Sequence, residues 1–258
     1  MSEKNREGKR TAREQLAVER EKHKRAEKRR RALIVGTAVA GVLALAAVIG
    51  VIAASAGKDE GGGEASGPAV APSGAQGKDA LAIPVGKESA RSTLTVWEDF
   101  RCPACKGFEQ AYRSTIHKLT EAGQLKVEYH LATIIDGNMG GSGSRTAANA
   151  AACAQDAGKF TAYHDVLYDH QPAETDDAFA DEDKLIELAG KVEGLTTPRF
   201  RRCVTESTHG TWVEKSDAAF QKGDFQGTPT VLLDGKSIYG DRSMTPAKLE
   251  QMVREANA

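Results

Sequence analysis

Only four cysteines occur in the 258 residues, and no histidine lies three to five positions from another. Cys153 and Cys203 stand alone, so the Cys and His spacings that build zinc sites are missing. The six histidines, His23, His117, His130, His164, His170 and His209, form no catalytic or ligand constellation and read as separate surface or core residues. No glycine-rich phosphate loop, Ser/His/Asp set or pair of hydrolase carboxylates stands out, and no segment repeats. Aromatic residues make up 5% of the chain, and none interleaves the basic N-terminal arm, where residues 1–31 carry thirteen Lys and Arg against six Glu. A cytoplasmic tail lying near anionic headgroups therefore accounts for the arm better than nucleic-acid binding. The formal net charge of −1 conceals this asymmetry: with so basic an arm, the rest of the chain is net acidic and offers no trap for polyanions.

What is present centres on Cys102-Pro103-Ala104-Cys105. Two thiols one helical turn apart interconvert between dithiol and disulfide. The preceding residues, Leu94 to Phe100, are apolar and β-branched enough for a strand. Phe108, Ala111, Tyr112, Thr115, Ile116 and Leu119 then recur at helical spacing. Pro103 suits the first helical position, which puts Cys102 at the N-cap, where unpaired N–H groups and the helix dipole favour a thiolate. Arg101 and Lys106 are expected to add to that effect. Cys105, a turn deeper, is placed to resolve a mixed disulfide. Half of a zinc site is the competing reading of the pair, and it lacks the other half.

A second motif lies far downstream, where Gly227-Thr228-Pro229-Thr230-Val231-Leu232-Leu233 puts a proline at the start of an apolar strand. Alone it reads as an ordinary trans proline opening an edge strand. Together with the cysteine pair it resembles the thioredoxin superfamily, in which a cis-proline lies against the two thiols. The stretches EDFRCPACKGFE and FRRCVTE…WVEKSDAAFQKGDFQGTPTVLLDGK are similar to DsbA-like thiol-disulfide oxidoreductases, in particular the membrane-tethered ones of Gram-positive-type envelopes. The resemblance covers about residues 80 to 256. It implies that Cys102 is the nucleophile, that Cys105 is the resolving thiol, and that Thr228 and Pro229 present backbone groups to the substrate chain. Relatives often carry a buried acid six residues before the first cysteine. Here that position is Val96, which leaves Glu98 and Asp99 as candidates to relay the proton.

The chain divides into a basic cytoplasmic tail (1–31), a transmembrane helix (32–54), a flexible Gly/Pro-rich linker (55–79) and a catalytic domain (80–258). Ala32 to Ala54 is twenty-three residues without a charge, about 34 Å as a helix against a hydrocarbon core of about 30 Å. The positive-inside rule puts the N-terminus in the cytoplasm and the domain outside. A cleaved signal peptide with Ala54-Ser55-Ala56 at its cleavage site is the rival, and it exports the same domain. No cysteine follows the apolar run closely, which argues against a lipid-modified cysteine anchor. The linker spans about 25 to 30 Å as a random coil.

Within the domain, strands are expected at Leu81–Val85, Thr93–Phe100, Leu125–Thr133, Thr230–Leu233 and Ser237–Tyr239. Helices are expected at Pro103–Ala122, Ser144–Ala157, Phe160–Tyr168, Asp183–Ala189, Pro198–Glu206 and Thr211–Lys222, with a last one opening at Thr245-Pro246. This α/β pattern is a thioredoxin fold with an inserted all-helical subdomain at about 140–223, preceded by the single transmembrane helix. Trp97, Trp212, Phe108 and Tyr112 read as core aromatics. In an exported domain Cys153 and Cys203 suit a structural disulfide, with buried free thiols or a second redox pair as alternatives.

The function expected is a membrane-anchored, extracytoplasmic oxidoreductase, using no cofactor beyond its cysteine pair, that introduces disulfides into exported cysteine-containing proteins. Its partners would be those proteins, the lipid bilayer and a membrane reoxidising partner such as a quinone-linked oxidase, with no nucleic acid. A reductase or isomerase, serving for example cytochrome maturation, and a redox-inactive peptide-binding adaptor are the alternatives.

Overall fold

The computed structural model describes residues 68–258; the tail, the apolar run 32–54 and the first part of the linker lie outside the described residues. Among the described residues no helix is long and apolar enough to cross a membrane. The chain forms β1 (Ile83–Gly86), β2 (Ser92–Glu98), α1 (Pro103–Glu121), β3 (Leu125–Leu131), α2 (Ile134–Met139), α3 (Gly143–Asp156), α4 (Phe160–Asp169), α5 (Glu182–Ala189), α6 (Pro198–Thr205), α7 (Gly210–Lys222), β4 (Thr230–Leu233), β5 (Lys236–Ser237) and α8 (Pro246–Asn257). The strands form one sheet in the order β1-β3-β2-β4-β5. β2 runs parallel to β3 and antiparallel to β4, so Val96 sits between Tyr129 and Val231, and Trp97 between His130 and Thr230.

The central position of β2 explains its composition. The strand carries apolar side chains on both faces, Leu94 and Val96 on one and Trp97 on the other, and all three are buried. α1 buries Phe108, Ile116 and Leu119 and packs against α8. It ends where Gly123, at φ 70°, turns the chain and the Gln124 N–H reaches back 2.9 Å to the Leu119 carbonyl.

Between β3 and β4 the chain builds the helical layer. It begins at Ile134, ahead of the boundary near 140 expected from periodicity. The six residues of α2 include Gly137 and Asn138, too short and too polar for a helical pattern to register. Tertiary contacts hold this turn instead: Asp136 accepts from the N–H groups of Ser144 and Arg145 at 2.9 and 3.0 Å. α3 is the hub, with Ala147, Ala148, Ala150, Ala151, Ala152 and Ala154 all buried. Alanine is the strongest helix former and lets α4, α6 and α7 approach closely. A larger side chain at Ala151 would overpack this hub by about 1–3 kcal/mol. Cys153 of α3 is joined to Cys203 of α6, with sulfurs 2.08 Å apart.

One segment departs from its sequence reading. Residues 68–79, expected as part of a free tether, lie against α3 and α7. The Ser73 N–H donates to Asp156 at 2.7 Å, Gln155 donates to the Ser73 carbonyl at 2.9 Å, and His209 Nδ1 lies 2.8 Å from the Val70 carbonyl. Trp212 Nε1 donates to the Ala80 carbonyl at 2.8 Å. The segment has little apolar surface of its own, so composition reads it as coil. Its order comes from side chains of distant helices that satisfy its backbone.

Candidate active site

Cys102 occupies the N-cap of α1 with Pro103 at its first position. Its N–H donates to the Asp99 carbonyl at 3.0 Å, closing the turn out of β2. Gln171, from the segment after α4, donates to the Phe100 and Cys102 carbonyls at 2.8 and 3.0 Å, so the helical layer clamps the turn. The Thr228–Pro229 peptide bond is cis, and the Thr228 carbonyl oxygen lies 3.3 Å from Cys102 Sγ. Both cysteines are free thiols. Cys102 is 6% exposed and Cys105 not at all.

Their environments separate the two acidities. The Cys105 thiol beside the Cys102 sulfur is the largest influence drawing Cys102 down to about 6. Thr228 and the N–H groups of Cys105 and Ala104 help it, and burial opposes it. The Thr228 hydroxyl is buried with no hydrogen-bond partner among the described residues, free to donate once the sulfur is anionic. Burial pushes Cys105 well above the free-thiol value, and the neighbouring Cys102 and Glu98 charges push the same way. At neutral pH Cys102 is therefore a thiolate and Cys105 a thiol. Arg101 does not contribute as its position in sequence suggested. Its guanidinium turns away into a buried clasp, 2.7 Å from Asp136 and 2.8 Å from Asp177. Lys106 is likewise not among the largest influences on the Cys102 sulfur.

Beneath the pair lies a group that spacing in the sequence does not reveal. Glu98 of β2, Glu109 of α1 and His164 of α4 converge, all at most 2% exposed. His164 Nε2 lies 2.8 Å from Glu98 Oε1, and its Nδ1 lies 3.6 Å from Asp165 Oδ1. Burial works against the charged ring, but Glu98 and Glu109 outweigh it and hold His164 up at about 10, as an imidazolium. Burial pushes Glu109 up to about 8, against the pull of the His164 charge. Glu98 Oε2 and Glu109 Oε1 have no hydrogen-bond partner among the described residues. Asp165 continues the group outward to Arg113 at 3.1 Å and His117 at 3.4 Å. His164, which reads from the sequence as a separate residue, is instead the centre of this charged group, and His117 reaches its outer member Asp165. Phe100, Tyr129, Phe160 and Tyr168 enclose the His164 ring.

Asp99, the other acid considered for proton relay, serves the backbone instead. Its carboxylate accepts from the Arg101 and Ile135 N–H groups at 2.8 and 2.9 Å. Burial still raises it to about 7. Among the described residues Glu98/Glu109/His164 and a second triad, Cys153/Cys203/His209, have ligand atoms near one another, but an ion pair occupies the first and a disulfide the second.

A family model described as Thioredoxin matches residues 79–255. The disulfide bond formation protein D of Bacillus subtilis is 27% identical over 157 residues, 60% of this chain and 68% of that protein. The crystal structure of oxidised DsbA from Mycobacterium tuberculosis is similar with 30% identity and a TM-score of 0.59, covering 68% of this chain and 92% of that one. A disulfide bond oxidoreductase, DsbG, from the same organism is similar at 29% identity and a TM-score of 0.59, over 69% of this chain and 88% of that one.

Proposed function

Because the chain belongs to the thioredoxin family and is a DsbA-like thiol-disulfide oxidoreductase, we propose that it works as an oxidase, introducing disulfides into exported proteins through Cys102 and Cys105. The observation that carries this direction is the lowered pKa of Cys102. A stable thiolate is a good leaving group and stabilises the reduced enzyme, which makes the disulfide form oxidising.

A substrate thiolate attacks Cys102 of the Cys102–Cys105 disulfide, forming a mixed disulfide and expelling Cys105. The departing Cys105 sulfur takes a proton, as its raised pKa demands. Glu98, whose charge reaches Cys105, passes that proton from the imidazolium of His164, and Asp165 links the group toward solvent. A second substrate thiolate then attacks the substrate sulfur of the mixed disulfide and Cys102 leaves as thiolate. The substrate has lost two electrons and the enzyme has gained them. Thr228 and Pro229 present backbone groups to the substrate beside Cys102. The chemistry uses no cofactor beyond the cysteine pair.

The net acidic domain follows an uncharged stretch, 32–54, that is preceded by a strongly basic segment. That order supports a single-pass anchor with the N-terminus cytoplasmic and the catalytic domain extracytoplasmic, acting on newly exported chains. A quinone-linked oxidase in the same membrane would accept the two electrons and restore the disulfide. Equilibration with glutathione tests the direction. A potential well above that of thioredoxin, about −270 mV, is expected. A value at or below it makes the protein a reductase, and full complementation by Cys102→Ala makes it a redox-inactive adaptor.

A further inference from the structure

We propose that a cavity on the opposite side of the domain from the cysteine chemistry's α1 helix is a binding site for an amphipathic anion, a flat apolar body carrying one acidic group. The cavity, about 760 Å³, lies between the docked segment 69–81, strands β2 and β3, and helix α7. That volume falls within the range of about 300–1,000 Å³ that holds one small molecule.

Its apolar walls are aromatic and held in place. Trp97 stacks on His130 with centroids 4.1 Å apart and planes 16° from parallel, and Phe225 sits 5.3 Å from Trp97. Trp212 is fixed by its hydrogen bond to the Ala80 carbonyl. His130 is 8% exposed, and its Nδ1 has no hydrogen-bond partner among the described residues. A buried polar atom left without a partner is uncommon in a closed core. At a cavity wall it is a group that a ligand can satisfy.

The rim carries the opposite chemistry. Lys215 and Lys222 are exposed and line the cavity from the same face of α7, seven residues and about 10.5 Å apart along the axis. Lys78 joins them from the docked segment, and Asp79 is the one acid among the lining residues. The ion pairs that lysines form among the described residues involve other lysines. Three cations around an aromatic floor favour an anion whose apolar body stacks below them.

A small molecule suits this site better than an extended peptide. Trp97 and His130 belong to β2 and β3, both interior strands, whereas β1 and β5 form the sheet edges. Among the described residues no free strand edge is available there for a peptide backbone to pair with. The site is independent of the redox reading, since none of its lining residues belongs to the cysteine pair or the Glu98/His164 group.

The chain contains two tryptophans, Trp97 and Trp212, and both line the cavity. Their emission therefore reports occupancy directly. Titrating 1-anilinonaphthalene-8-sulfonate into the full chain should quench it saturably at one site per chain, more weakly as salt is raised. Lys215→Glu with Lys222→Glu, two exposed changes that leave the core untouched, should weaken binding about tenfold or more. The uncharged parent, 1-anilinonaphthalene, should bind the wild type more weakly by a similar factor. The proposal is overturned if quenching is not saturable, or if the double variant binds the sulfonate as tightly as the wild type.

Discussion

The sulfur of Cys102 lies 3.3 Å from the carbonyl oxygen of Thr228, a residue 126 positions further along the chain. The contact brings the end of α7's following loop onto the N-terminus of α1. The same residue holds a buried hydroxyl in reserve for the anionic sulfur.

Removing that hydroxyl should cost the thiolate one donor. Thr228→Val is expected to raise the Cys102 pKa from about 6 by about one unit, equivalent to about 1.4 kcal/mol. Cys105→Ala should raise it further, because the Cys105 thiol is the larger influence. Iodoacetamide reaction rates followed against pH measure both. Equal values in all three proteins would assign the acidity to the helix N-terminus alone.

The depressed thiol also sets a pH dependence. Its folded pKa lies near 6, below the unfolded value of about 9, so the stabilisation from Cys102 ionisation is complete above pH 9 and lost as pH falls through 6. The disulfide form has no such group. Chemical denaturation of the two forms should therefore show the reduced protein losing stability relative to the oxidised one as pH drops from 9 to below 6. A constant difference across that range would contradict the assigned acidity.

His164 titrates with the opposite sign. Its folded pKa near 10 exceeds the unfolded 6.5, so its contribution is full below pH 6.5 and lost as pH rises through 10. Removing the cation at neutral pH strands Glu98, and His164→Gln should cost about 3–5 kcal/mol in urea unfolding. Combining it with Glu98→Gln should recover part of that loss. Strict additivity of the two changes would mean that the 2.8 Å contact carries no coupling.

The Cys153–Cys203 bridge closes a loop with a sequence separation of 50, worth about 4 kcal/mol in the unfolded chain. Replacing both residues with serine should lower stability by that order while thiol oxidation by Cys102 persists. A folded double variant that no longer oxidises thiols would turn the bridge into a second redox pair.

Ala104 is exposed between the two cysteines and offers no charge or hydrogen bond. Ala104→His should add a donor near Cys102 and raise the reduction potential, by about 30 mV for each 1.4 kcal/mol gained by the thiolate. An unchanged potential after glutathione equilibration would show that the position does not face the sulfur.

Most of the framework is legible in the order of residues, because it depends on interactions within a few positions. The helix start at Pro103 and the N-cap position of Cys102 follow from the proline and its flanking patterns. Thr197 and Thr245 cap their helices as their positions before Pro198 and Pro246 suggest. Other features read from the sequence shift by a few residues or change form. The helix expected at Asp183–Ala189 opens one residue earlier, at Glu182, and the last strand closes at Ser237 instead of Tyr239.

What lies beyond local reach was decided only by the tertiary structure. Glu98, Glu109 and His164 sit on a strand and two helices whose sequence positions carry no common period, so nothing in their spacing marks them as partners. Arg101 shows the limit from the other side: adjacent to Cys102 in sequence, it spends its charge on Asp136 and Asp177 instead. Trp97 and Trp212 read as core residues and are buried, yet the space beside them exists only because the segment 69–81 folds back over the sheet. Residue order by itself determined which chemistry the chain carries, since a thiol pair at a helix start is a local arrangement. The fold decided how that chemistry is tuned, because acidity depends on burial and on charges brought together from distant parts of the chain.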